Sequence, residues 1–149
     1  MTAFTGRDVL IEFAIGDETA TEASLTFKSL GMMRGKGMNV SWDTVDTTAD
    51  ESPEYTKTSL VTFKQVEFSG DGVAYTEAIY NQAELKAHVY NPGSGTANQP
   101  KAWIRQTAPE GVTVGPFIFT NWDSAAPYAD AVTWSTTAMS NGAVTFTPA

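Results

Sequence analysis

The 149-residue chain has no cysteine and a single histidine, His88. The first absence excludes a disulfide framework and any thiolate metal site. The second leaves no histidine cluster for zinc, and a serine–histidine–aspartate system would have to be built on that one residue. Basic residues are also scarce, 9 against 17 acidic, for a net charge of −8. That balance argues against ordinary nucleic-acid binding, which neutralises phosphates with lysine and arginine. No apolar run approaches the roughly 20 residues of a membrane span. The opening MTAFTGRDVLIEF lacks a basic region followed by an apolar stretch and a small-residue cleavage site, so no signal peptide is expected and synthesis in a cytoplasm is.

What the chain does contain is aromatic and β-rich. Four Trp, eight Phe and five Tyr are spread along its length, which is no disorder signature, and the length suits one domain spanning residues 1–149. Residues 7–15 alternate, with Val9, Ile11, Phe13 and Ile15 on one side, and predict a strand. A second strand is expected near 24–30. The glycine-punctuated MMRGKGM that follows predicts a turn with a bulge, because a phosphate loop would need Lys-Ser/Thr opening a helix. Met38–Trp42 reads as a strand, as does Leu60–Ser69, where the apolar face changes sides near Gln65 and suggests a bulge. That strand is expected to end on the turn Gly70-Asp71-Gly72. Residues 76–89 carry the helical pattern, with Thr76 as cap and Ile79, Ala83 and Ala87 on one face. Further strands are expected at 102–106, 112–120, 131–135 and 143–147, with Asn141-Gly142 as a hairpin cue. The fold class is mainly β: an antiparallel sandwich or barrel with one flanking α-helix and a long projecting loop.

That loop, about 43–59, is the stretch around which the rest is organised. It holds five carboxylates, Asp43, Asp46, Asp50, Glu51 and Glu54, and loops of this length in a small domain are usually functional. Their spacing fails the EF-hand pattern, so no calcium site is expected. No pair of acids is fixed for glycoside hydrolysis, and His88 reads as a surface or half-buried side chain. No enzyme, metal or cofactor is expected. The tryptophans at 42, 103, 122 and 134 keep open a glycan-binding β-sandwich, which an exposed planar Trp platform would favour and buried tryptophans would disfavour.

The order of segments resembles the major tail tube proteins of long, non-contractile tailed bacteriophages. GRDVLIEF is similar to their N-terminal strand. VDTT at 45–48, a polar loop and then VEFSGDG at 66–72 look like their ring-stacking loop and returning strand. GPFIFTNWD at 115–123 and YADAVTWSTTAMSNGAVTF at 128–146 look like their closing strands, with Ser140-Asn141-Gly142 before the last one. The resemblance implies a β-sandwich with a flanking helix, six copies closing into a ring, and rings stacking into a hollow tube that carries DNA to the host. It implies an inter-ring stacking arm including Asp43, Val45, Asp46, Thr47, Thr48, Asp50, Glu51, Glu54 and Tyr55. The partners implied are further copies of the chain and the tape measure, tail tip and terminator proteins, with DNA passing through the lumen unbound and the protein located in the virion tail. Tube subunits of contractile tails and of type VI secretion, and tail terminators, are near neighbours of this reading.

Overall fold

The computed structural model describes residues 3–49, 54, 56–95 and 97–149. Among them are eight strands: β1 (Leu10–Ile15), β2 (Lys28–Ser29), β3 (Met33–Asp46), β4 (Ser59–Val73), β5 (Lys101–Ala108), β6 (Gly111–Ala125), β7 (Thr133–Ser140) and β8 (Thr145–Pro148). One helix, α1 (Gln82–Tyr90), separates β4 from β5. All pairings are antiparallel, in the order β2-β1-β5-β6-β7-β4-β3 with β8 on β6. The mainly β, antiparallel class with one flanking helix is as the sequence predicts, and the strands join into one continuous sheet.

The sheet must curl, because residues from well-separated strands share one core. Ile11 and Phe13 of β1, Ile104 of β5, Phe117 and Phe119 of β6, Trp134 of β7 and Phe68 of β4 form a single buried cluster. Removing such side chains from water is the main stabilising term. The curl also brings the β3 edge towards the chain that enters β1, where the Lys36 ammonium donates to the carbonyls of Gly6 and Val9.

α1 begins later than the pattern suggests and turns a different face inward. A short 3₁₀ turn occupies Ala78–Tyr80, so Asn81, in the left-handed conformation (φ 59°), precedes the helix in place of Thr76. Ile79, Ala83 and Ala87 face outward, while Gln82 and Leu85 are buried and Val89 packs on the core. The helical period was legible, but its phase is set by Leu85 and by a polar side chain. Gln82 donates to the Gly31 and Val73 carbonyls and accepts from the Tyr75 amide, each at 2.9 Å. A buried amide with all three bonds made is stable where an unpaired one would not be.

Three local cues have other outcomes. The expected strand at 24–30 contracts to Lys28–Ser29. Gly70-Asp71-Gly72 is the interior of β4, not a turn. A Cβ on Gly72 would lie 2.4 Å from the Met32 carbonyl oxygen, so glycine is there to let β3 start close by. Asn141-Gly142 makes no hairpin, since β7 and β8 both lie along β6, β7 opposite residues 117–125 and β8 opposite 111–114. The dipeptide is a jog between them, with the Asn141 amide on the Pro116 carbonyl at 3.0 Å.

Candidate assembly surface

The MMRGKGM segment and the start of the expected loop both belong to β3, which pairs with β4 from Met33–Gly72 out to Asp46–Ser59. The result is a long two-stranded hairpin with two dissimilar halves. In the inner half Val66, Phe68, Gly70 and Gly72 of β4 are buried, and β4 is also paired with β7 from Glu67 to Val73. β7 stops at Ser140, whose hydroxyl accepts from the Val66 amide at 3.0 Å. From there outward β4 pairs with β3 alone, and every described side chain of the outer half is exposed.

The outer half is apolar as well as exposed. Phe63 is 75% exposed, Leu60 63%, Val61 57% and Val45 51%. Apolar side chains exposed on a two-stranded ribbon, with no cover among the described residues, are the mark of an interaction surface. A bulge lies within the outer half. Trp42 faces Lys64 and Thr44 faces Val61, so Thr62 and Phe63 together oppose Asp43. The face change near Gln65 had signalled this irregularity. For Val61 and Phe63, alternation alone cannot show whether the covering layer belongs to the same chain.

Of the nine arm residues, Asp43, Val45 and Asp46 are on β3 instead of in a loop. Thr47 and Thr48 extend the hairpin as a clasp. The Thr47 amide donates to the Thr58 carbonyl at 2.9 Å, the two hydroxyls of Thr47 and Thr58 are 2.9 Å apart, and the Thr58 amide donates to Thr48 Oγ1 at 2.9 Å. Asp46 Oδ1 accepts from the Thr48 amide at 2.8 Å, and hydrogen bonding from Thr48 holds this carboxyl below its ordinary pKa. Glu54 is exposed. Asp50, Glu51 and Tyr55 lie outside the described residues.

The remaining candidates have structural settings. His88 Nε2 is 2.8 Å from the Lys101 carbonyl, which requires the Nε2–H tautomer as donor. Trp134 is buried and stacked on Trp122 with ring centres 5.0 Å apart, and Trp103 Nε1 donates to the Asp17 carbonyl at 2.8 Å. Trp42 is half exposed, with the Lys64 ammonium 5.9 Å from its ring centre. No group of three metal-ligating side chains gathers among the described residues, and no helix among them is long and apolar enough to cross a membrane.

A rolled antiparallel sheet with one helix and a projecting apolar hairpin defines a class of β-structural subunits whose working surface is made for other protein. The chain belongs to the phage tail tube protein family, whose sequence model matches residues 3–146, and it is thereby a structural component of a virion tail. Its fold is similar to that of a subunit from the tail of an empty gene transfer agent particle refined with C6 symmetry, at 24% identity and TM-score 0.72, over 97% of this chain and 99% of that one. It is also similar to the SPP1 tail tube subunit, at 14% identity and TM-score 0.68, over 99% and 80%. A chain of the sheath–tube complex of an extracellular contractile injection system matches at 11% identity and TM-score 0.59, over 93% and 88%. No curated protein sequence matches this one.

Proposed function

We propose that six copies of this chain close into a ring and that rings stack into the hollow tube through which DNA leaves the particle. The observation that carries this reading is the outer half of the β3–β4 hairpin, whose Val45, Leu60, Val61 and Phe63 are exposed, with no covering layer among the described residues. The C6 symmetry of the gene transfer agent tail supports six as the ring number. The hairpin reaches from ring to ring, with Asp43–Thr48 and the apex as the stacking arm. The protein's role is non-enzymatic, and the single domain is the repeating unit. The net charge of −8 suits a lumen that repels the phosphate backbone and lets DNA slide without being held. The tape measure, tail tip and terminator proteins are the partners at the tube's interior and ends.

The test is negative-stain electron microscopy of the purified protein at rising concentration, beside its mass by light scattering. Hollow tubes or stacked rings are expected. Deleting residues 47–57 should leave a folded monomer that forms no tubes, and tubes of normal appearance from that variant would remove the hairpin apex from the stacking role. A persistent monomer that instead bound glycans would overturn the tube reading.

A further inference from the structure

The dipeptide Asn141-Gly142, which makes no hairpin, stands at the jog between β7 and β8 with its reactive atoms available. Of the six asparagines in the chain, Asn141 alone precedes a glycine. Gly142 is exposed and lies outside the strands, and among the described residues its amide N–H donates to no acceptor. Packing requires glycine here. Its φ is 150° and a Cβ would lie 2.7 Å from Pro116 Cγ, so a larger residue is disfavoured. The Asn141 side chain is half-buried, and its Nδ2 donates to Glu18 Oε2 at 3.0 Å. Glu18 is itself paired with the Lys101 ammonium at 3.1 Å. One asparagine amide thus joins the loop after β1 to the approach to β8.

A second pair with the same imide-forming chemistry, Asp71-Gly72, provides the contrast. It lies inside β4, where Asp71 pairs with Gly35 and Ser135, and Gly72 with Met33 and Trp134. Gly72 is buried. A backbone paired on both sides cannot turn its nitrogen onto the preceding side chain without breaking buried hydrogen bonds. At the jog the main-chain bond is the one from the Asn141 amide to the Pro116 carbonyl, and it leaves the Gly142 nitrogen free.

We propose that Asn141 is a site of spontaneous covalent modification in the folded protein, deamidating through a cyclic imide formed with Gly142. The Gly142 amide gives its proton to solvent base, and its nitrogen attacks Asn141 Cγ. As that N–C bond forms, the Cγ–Nδ2 bond breaks, and Nδ2 takes a proton from water and leaves with the electron pair as ammonia. Water then opens the imide at either carbonyl, giving aspartate or its β-linked isomer. Glycine leaves the attacking nitrogen unhindered. The hydrogen bond to Glu18 is what the closing ring must break, so Glu18 restrains the reaction.

The product reverses a contact. A carboxylate oxygen replaces the Nδ2 donor, so like charges face each other where a hydrogen bond stood. The β-linked isomer also lengthens the main chain by one atom shortly before Val144 enters the core. β8 is exposed and is held on β6 through four residue pairs, so it is the element that a change at the jog loosens. In a particle that makes no new protein, the change accumulates with age.

The test is peptide mapping by mass spectrometry after prolonged incubation of the purified protein at neutral pH, folded and in denaturant. In the folded protein, conversion at Asn141 should be at least about tenfold faster than at any other asparagine, with isoaspartate at 141 and none at 71. In denaturant, isoaspartate should appear at both. Conversion at Asn141 no faster than elsewhere would overturn the proposal. Isoaspartate at 71 in the folded protein would overturn the protection given to strand pairing. Asn141→Gln, too long for the five-membered ring, should abolish the conversion, and a mass increase persisting in that peptide would remove the assignment to 141. Glu18→Ala takes away one hydrogen bond and should raise the rate about threefold, whereas an unchanged rate would overturn the restraint by Glu18. Asn141→Asp reproduces one product directly. Hydrogen exchange of residues 145–148 should be at least about threefold faster in it than in the parent, and identical exchange would overturn the loosening of β8.

Discussion

The inner and outer halves of the β3–β4 hairpin are written in nearly the same residues and have opposite fates. Val66 and Phe68 are buried, whereas Val61 and Phe63, a few positions along the same strand, are among the most exposed apolar side chains of the chain. The backbone is paired in both. What differs is the third layer: β7 and the curled sheet cover the inner half, and nothing among the described residues covers the outer one. Hydrophobicity therefore marks what must be covered, and only the topology tells whether the chain itself does the covering.

This contrast can be broken at either end. Phe68→Ala should destabilise the fold by about 3–5 kcal/mol, the usual range for an aromatic side chain deleted from a packed core, read as a lower denaturant midpoint with the slope unchanged. Gln82→Leu removes the tie between α1 and the end of the inner half. It leaves the Gly31 and Val73 carbonyls and the Tyr75 amide unpaired and should cost about 2–4 kcal/mol, with hydrogen exchange of α1 accelerated before that of the strands. Phe63→Ser should change monomer stability by no more than about 0.5 kcal/mol, as for an exposed site, while light scattering shows the loss of assembly. A loss of stability comparable to that of Phe68→Ala would show that the outer half is covered within the chain after all. The smallest effect belongs to Asp46. Its folded-state pKa is depressed by Thr48, so the clasp is fully favoured above the ordinary carboxylate pKa and is lost as pH falls through the depressed value. The Thr48 amide resonance should follow that titration in the free protein, and Asp46→Asn should flatten it.

Much of the architecture was legible in the sequence because the alternation of β1 selects Ile11 and Phe13 and that of β6 selects Phe117 and Phe119, all of which are buried, although Ile15 at the end of β1 is exposed. The failures share a cause. Gly70-Asp71-Gly72 and Asn141-Gly142 have the composition of turns, but the close approach of Met32 and the shared neighbour β6 decide their conformation, and neither is local information. The outward turn of Ile79, Ala83 and Ala87 is of the same kind, since Gln82 takes the inner position through bonds to residues distant in the chain. For the arm, acidity is what the sequence displays, yet Thr47, Thr48 and Thr58 build its closure and the apolar residues beside it form its exposed surface.

The pairing of β1 with β5, which sets Leu10 opposite Thr107 and Ile15 opposite Ala102, also bears on the order of events during folding. Most of the chain lies between those partners, whereas β3 with β4 and β5 with β6 are neighbours joined by local connections. Closing a long loop is entropically slower than closing a short one. Pulse-labelled hydrogen exchange during refolding should therefore find the hairpins protected before β1. If so, each newly made subunit passes through a stage in which its adhesive ribbon exists before its core is sealed, and the interval between the two is when a cell full of identical chains is most exposed to premature association.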